Sequence, residues 1–322
     1  MARQLSRAGY NVSKFQVSSE GDYAVADADW NYKDVPHLNV VHTRVQSIVA
    51  SMDDDVISAI NLQQVFGIPF PVAIVNYATS ETAQTYFTTL GPYILVVNTE
   101  YVALEPNRTK VTTTYHMAAR GLARFAFPLL RRIVKSNYRT LMSEDIPMRT
   151  RRGKLRSRGF SFRSDGHPRT FPDTVNVLTD NVVLPERASV AIETVSRDRL
   201  EAQGDTVLIG SDDDRGVRLI RADSEIFVYP RLCRHEGANL DCSQPRKGRL
   251  SCPWHGKAIG PLMRLPVEMG ATAEFESYRI TLEPSGFTVT VPKGRDAVGA
   301  DGPAAGSATG LGPEKAGSIV DR

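Results

Sequence analysis

The sequence predicts an α+β protein of two domains: an N-terminal antiparallel sheet with one long C-terminal helix, then an all-β domain. Three observations carry this. At 322 residues the chain is long enough for two separate cores. Residues 1–165 hold β-branched runs that give way to a long amphipathic segment, whereas residues 186–293 read as short strands between turns. Between them, residues 166–185 are polar and carry Gly166, Pro168, Pro172 and Pro185, as expected of a linker.

Taken in chain order, residues 40–50 alternate as a strand does. Runs at 72–75, 93–97 with 101–104, and 110–115 are β-branched or aromatic. Pro92 and the turn Glu105, Pro106, Asn107, Arg108 bound the later ones. From 118 to 150 the period changes. Leu122, Phe125, Leu129, Leu130, Ile133, Val134, Leu141 and Ile146 recur at helical spacing, with Pro128 expected to kink the helix and Pro147 to end it. Arg149, Arg151, Arg152, Lys154, Arg156, Arg158 and Arg163 then fall within fifteen residues without an acidic neighbour. Such a run reads as a solvated positive face, suited by charge to an acidic electron donor. In the second domain, strands are expected at 206–210, 216–220, 226–229, 278–282 and 287–291. Residues 294–322, rich in Gly, Ala, Ser and Pro, are expected to be a disordered tail.

The chemistry concentrates in two short segments, Cys233-Arg234-His235 and Cys252-Pro253-Trp254-His255, with sixteen residues between them. Each offers one thiolate and one imidazole. Two Cys and two His are the donor set of a [2Fe–2S] cluster whose inner iron is held by soft thiolates and whose outer iron by imidazoles. Zinc is the alternative for a Cys2His2 set. Zinc fingers, however, place Cys with Cys and His with His, whereas here each pair mixes the two.

The segment from Cys233 through Glu236, Gly237, Ala238 and Asn239 to Leu240 resembles the first cluster loop of the Rieske family. Cys252-Pro253-Trp254-His255-Gly256 resembles the second. The resemblance implies that Cys233, His235, Cys252 and His255 bind the cluster. It also implies that Gly237 and Gly256 let backbone approach the sulfides, where N–H groups tune the potential. Ala238 and Trp254 stand where respiratory-chain members carry an extra disulfide, so the chain is closer to the oxygenase and ferredoxin branch. Cys242 is left as a free structural thiol.

The N-terminal plan, several strands and one long helix, resembles the START-like, helix-grip architecture, which implies a curved sheet around an apolar cavity. Asp34-Val35-Pro36-His37-Leu38-Asn39-Val40-Val41-His42 resembles the iron segment of Rieske oxygenases. By that resemblance His37 and His42 bind a mononuclear Fe(II), and Asp145 supplies the carboxylate, with Glu144 as the fallback. Asp34 links the cluster to the iron across a subunit interface. Two imidazoles and one carboxylate on one face leave positions open for O2 and substrate. The bland alternative stays open: the two His at a loop-to-strand junction, and Asp145 on a helix surface near Arg149. Residues five apart on a strand face opposite ways, so a ligand pair at 37 and 42 requires a helix or irregular turn there, against a strand from Val40. The domain order is also the reverse of the usual oxygenase subunit.

A net charge of +3 does not argue for nucleic acid, and no apolar run is long enough to span a membrane. The N-terminal segment lacks the apolar core of a signal peptide, so the cytoplasm is the expected compartment. His116 reads as a hydrogen-bonded core residue and His167 as an exposed linker residue. The reading that results is a Rieske-type oxygenase. It would act on an apolar or aromatic molecule, steroid-like or polyketide-like, with O2 and electrons from a ferredoxin and/or reductase, as a homo-oligomer. The rival is a Rieske electron-transfer or redox-sensing module fused to a START-like ligand-binding domain without catalytic iron.

Overall fold

The structure, a computed structural model, describes residues 2–321 apart from 54–55, 66–67, 166–180, 186–188, 197–205, 223, 269, 276–277, 284–285 and 294–318. It divides into two compact units, residues 1–154 with 164–179 and 313–322, and residues 155–163 with 180–312.

In the first unit, helix α1 (Ala2–Arg7) precedes strand β1 (Asn11–Gly21). Helix α2 (Val25–Lys33) and a turn of 3-10 helix (Val35–Asn39) follow. Six strands then run up and down: β2 (Val45–Asp53), β3 (Val56–Val65), β4 (Ile68–Ser80), β5 (Ala83–Leu90), β6 (Tyr93–Glu105) and β7 (Arg108–Ala119). All pairs are antiparallel, and β1 closes the order by pairing with β7. Helix α3 (Phe127–Ser157) carries the other half of the core. Phe15, Val17, Leu95, Val97, Tyr115 and Met117 of the sheet pack on Leu130, Tyr138, Met142 and Ile146 of α3. Burial of each such side chain stabilises by about 1.5–3 kcal/mol, which is what clamps the helix to the sheet.

Several expectations are corrected here. Residues 35–39 form 3-10 helix and 40–41 a turn, so the strand begins at Val45 rather than Val40. Pro36 near the start of the 3-10 helix favours that turn. The runs at 93–97 and 101–104 are one strand. Helix α3 starts at Phe127 rather than 118, because β7 continues to Ala119 and residues 121–126 form 3-10 helix. Leu122 and Phe125 are therefore 83% and 68% exposed, off the stripe predicted for them, as is Leu129 at the outer face. Pro128 is the second residue of α3, where a missing N–H costs nothing. Pro147 lies inside the helix and does not end it. Met142, Ile146 and Met148 are buried around it, and their packing outweighs the hydrogen bond that proline removes.

The basic run is not a solvated face. Arg149 and Arg152 are fully buried, with partners supplied by α2 from far along the chain. Arg152 Nε donates to Asp27 Oδ1 at 3.1 Å, and its guanidinium lies 4.1 Å from the Trp30 ring centre. Gly153 is the point of closest approach between α3 and the turn after β1: a Cβ there would come within 2.8 Å of Tyr23 Cα. Lys154, Arg158 and Arg163 are exposed. His116 is half-buried rather than core, pointing away from α3 by the alternation of β7.

The second unit is built on two four-stranded antiparallel sheets and two short hairpins. It begins with Leu155, inside α3, ahead of the start expected at 186. Strands β8 (Ser161–Phe162) and β9 (Val182–Val183) pair, so residues 182–183 belong to this unit and not to a linker. The larger strands are β10 (Ser189–Ser196), β11 (Thr206–Ile209), β12 (Val217–Ala222) and β13 (Glu225–Pro230). They are followed by β14 (Leu250–Ser251), β15 (Ala258–Ile259), β16 (Met263–Pro266), β17 (Thr272–Phe275), β18 (Tyr278–Glu283) and β19 (Gly286–Lys293). Val207, Ile209, Val217, Leu219, Ile226, Val228, Met263 and Leu265 of one sheet meet Tyr278, Ile280 and Leu282 of the other. All five strands expected here are present.

Residues 166–180, with His167, and most of the tail lie outside the described residues. Three tail residues, Ile319–Asp321, pair with β1, so the tail expectation does not hold for them. Among the described residues no helix is long and apolar enough to cross a membrane.

Candidate metal centres

The first centre lies in two loops of the second unit, each following a strand. β13 ends at Pro230 and leads into the Cys233 loop, and β14 leads directly into the Cys252 loop. The loops repeat one backbone design. Cys233 N donates to Ala238 O and Gly237 N to Cys233 O, both at 2.8 Å. Cys252 N donates to Lys257 O and Gly256 N to Cys252 O, again both at 2.8 Å. Each loop closes on a glycine in the left-handed region, φ 89° at Gly237 and 67° at Gly256, where a side chain would be strained. At Gly237 a Cβ would also meet Leu155 Cδ1 at 2.6 Å.

These paired turns aim four side chains at one place. Donor atoms of Cys233, His235 and Cys252 lie within 4.8 Å of one another and all three residues are buried. His255 completes the set, its Nδ1 3.8 Å from Cys252 Sγ and its ring 4.7 Å from that of His235. Cys252 is pulled well below the ordinary thiol value, first by the hydrogen bond from Cys233 and then by His235 and His255. The same contact pushes Cys233 up. Soft sulfur with neutral imidazole is the donor set of a two-iron, two-sulfide cluster. A buried polar contact supports the first loop: Asn181 Nδ2 donates to Glu236 Oε2 at 2.9 Å. Cys242 is exposed and free.

The second centre belongs to the first unit. His37 leaves the 3-10 helix and His42 follows the turn after it, which resolves the conflict over residues five apart: neither lies on a strand. Asp145 comes from α3. Their ligand atoms form a triangle: His37 Nε2 to His42 Nε2 is 3.1 Å, His37 Nε2 to Asp145 Oδ1 3.4 Å, and His42 Nε2 to Asp145 Oδ1 3.2 Å. Ligand atoms about 2.1 Å from one metal ion stand about 3.0 Å apart at right angles and about 3.4 Å apart at tetrahedral angles. The triangle has that size, and all three residues are buried.

Each corner is held from behind. Asp34 Oδ2 lies 3.6 Å from His37 Nδ1. Glu144 Oε2 lies 2.7 Å from His42 Nδ1, while Glu144 Oε1 accepts from Thr43 Oγ1 at 2.9 Å. Asn31 Nδ2 and Arg149 Nη2 both reach Asp145 at 3.3 Å, and Arg149 Nε donates to Asn31 Oδ1 at 2.8 Å. Glu144 therefore sits on the far side of His42 and is not a third ligand. Asp145 is buried rather than on a helix surface. Burial by itself would raise its carboxyl and lower His37. Hydrogen bonds from His37 and His42, with Arg149, hold Asp145 well below the carboxylate range, and Asp145 and Asp34 lift His37 to about 9. Without metal, the triangle stores a proton that a metal ion would displace.

The supporting role of Arg149 has a sequence signal, its spacing of four from Asp145 on a helix. Asn31 has none, because α2 carries no strong apolar stripe and brings it to α3 only through the fold.

The triangle opens on a cavity of about 180 Å³ whose walls include Asp34, His37, His42 and Asp145, the amides Asn61, Gln63 and Asn76, and the phenols of Tyr86, Tyr115 and Tyr138. A second chamber of about 110 Å³ shares Val45, Gln63, Tyr86, Tyr115, Tyr138 and Leu141 with it and is otherwise lined by Thr88, Asn137 and aliphatic residues such as Val72, Leu95 and Val134.

Residues 192–263 match the Rieske [2Fe-2S] domain family. No curated protein matches the chain. Among solved structures it is similar to the Zhui aromatase/cyclase from Streptomyces sp. R1128, at 10% identity and TM-score 0.40, over 44% of this chain and 96% of that one. A START superfamily protein from Mycobacterium smegmatis is similar at 8% identity and TM-score 0.34, over 40% and 90%. The di-domain ARO/CYC BexL is similar at 11% identity and TM-score 0.36, over 87% and 85%. These are likenesses of shape, and nothing functional follows from them. The matched segment contains all four predicted cluster ligands: residues 192–263 are a Rieske [2Fe–2S] domain, which supports an iron–sulfur redox protein.

Proposed function

We propose that the protein is a Rieske-type non-haem iron oxygenase that oxidises a largely apolar or aromatic small molecule. The single observation that carries this is the buried triangle of His37, His42 and Asp145, open to a cavity on one side and braced on the other. Two imidazoles and one carboxylate on one face fit ferrous iron with positions left for O2 and substrate. Bound there, iron would supply O2 activation, and the cluster would deliver electrons one at a time.

The chain's own residues do the rest. Glu144 fixes which nitrogen of His42 faces the metal by engaging the other one, and Asp34 stands 3.6 Å behind His37 Nδ1 as a counter-charge. Arg149 and Asn31 orient the Asp145 carboxylate. The reading includes an external ferredoxin and/or reductase as donor, a homo-oligomer in which Asp34 links cluster and iron between copies, and residence in the cytoplasm. Two buried thiols kept for iron fit that compartment.

The test is metal stoichiometry. Protein prepared without oxygen, supplied with ferrous iron and cleared of loosely bound metal is expected to hold about three irons per two acid-labile sulfides. A ratio near one, with the cluster intact, would sink the oxygenase and leave an electron-transfer or redox-sensing protein.

A further inference from the structure

The cavity beside the triangle is specific about charge and oxygen. No Lys or Arg is among its described lining residues, and its carboxylates, Asp34 and Asp145, already face histidines. Away from the triangle, where Asn76 and Thr88 lie, an anionic group would be buried without a counter-charge, and a buried charge without a partner is strongly disfavoured. A bare hydrocarbon does not fit either. Alternation on β4 turns Val72, Ile74 and Asn76 inward. Asn76 Nδ2 donates to Gln84 Oε1 at 2.8 Å, and Gln84 Nε2 donates to Tyr101 Oη at 2.6 Å. That chain uses the amide's donor side. Asn76 Oδ1 is left buried, with no partner among the described residues, on a residue only 9% exposed that lines the first chamber. Thr88 Oγ1 is in the same state, on a residue 8% exposed that lines the second chamber.

The register relates the two. Asn76 pairs with Tyr86, and Ile74 with Thr88. Asn76 and Thr88 are therefore diagonal neighbours on one face of β4 and β5, about 7–8 Å apart. Two orphaned polar groups at that spacing, one in each chamber, call for a ligand that spans both.

We propose that the ligand of this cavity is an uncharged molecule with two oxygen functions on a rigid apolar frame. One O–H donates to Asn76 Oδ1, and the other oxygen bonds Thr88 Oγ1. This rests on the cavity being the substrate site of the oxygenase, and it narrows the substrate from an apolar molecule to a diol, phenol or hydroxyketone.

Four probes test it on the full-length protein by equilibrium binding: naphthalene, a naphthol, a naphthalenediol with its hydroxyls on opposite rings, and a naphthoate. Affinity is expected to rise about three- to tenfold with each added hydroxyl, although each makes the probe less apolar. The naphthoate is expected not to bind. Asn76→Leu should abolish the step from naphthalene to naphthol and Thr88→Val the step from naphthol to diol, each step read as a ratio within the same variant. If either variant fails to fold, the ranking of the four probes on the unaltered protein decides alone. Equal affinities, tightest binding of the naphthoate, or no binding by any probe would overturn the proposal. Because binding rather than turnover is read, the iron-to-sulfide ratio is independent of the result, so the two readings fail separately.

Discussion

The cluster loops and the histidine–carboxylate triangle each gather metal donors into a buried spot, but from opposite scales of the chain. In each loop a thiolate and an imidazole sit within three residues of each other, and two backbone hydrogen bonds with a left-handed glycine shape the turn. The design is local and is used twice. The triangle spans the unit: His42 and its brace Glu144 are 102 residues apart, and Asp145 is delivered only because α3 is clamped against the sheet. Donors in a local turn are specified by a short motif. Donors on separate elements are specified by a core, and every brace behind them is a tertiary contact.

The largest expected effect breaks one centre and spares the other. Cys252→Ser removes a thiolate that hard oxygen does not replace, so acid-labile sulfide should fall from about two per chain to near zero. Metal binding at the triangle, titrated in the same preparation, should persist. Loss of both together would show that the two centres do not assemble independently. A smaller effect is expected from Glu144→Gln. It keeps the shape but weakens the hold on His42 Nδ1, and should lower metal affinity at the triangle by about 10–100-fold. Cluster absorbance should not change, and an unaltered affinity would mean that His42 needs no brace.

The smallest effect sharpens the contrast in charge. In metal-free protein His37 is raised from 6.5 to about 9 by Asp145 and Asp34, against burial. The folded state thus binds the extra proton more tightly than the unfolded chain. Its contribution is complete below pH 6.5 and is lost as pH rises through about 9. Denaturation midpoints of the metal-free first unit should fall across that window, and saturation with metal should flatten the dependence. Stability that rises from pH 6.5 to 9 would contradict the raised value.

Sequence reading succeeded where physics is local. The five strands of the second unit and the Rieske domain were legible because period-two alternation, turn residues and a mixed Cys–His pattern leave direct traces. The same reasoning mistook residues 118–126 for helix, since Leu122 and Phe125 keep helical spacing whether or not a helix forms. Pro147 misled as well, because local propensity says that proline ends a helix, while Met142, Ile146 and Met148 hold this one together from outside. The basic run misled for a related reason: Asn31 and Asp27, the α2 partners of Arg149 and Arg152, are more than a hundred residues away.

By itself, then, the sequence determined the α+β order of the two halves, the Rieske domain, and two candidate sets: Cys233, His235, Cys252 and His255, and His37, His42 and Asp145. Only tertiary structure decided that those three atoms meet within 3.4 Å, that Glu144 braces rather than binds, and that Asn76 and Thr88 share a face. The physical reason is range. Backbone turns and side-chain periodicity act over a few residues and are written in sequence. A triangle, a brace or a buried orphan oxygen is fixed by which distant faces pack together, and many sequences with the same local pattern would pack them differently.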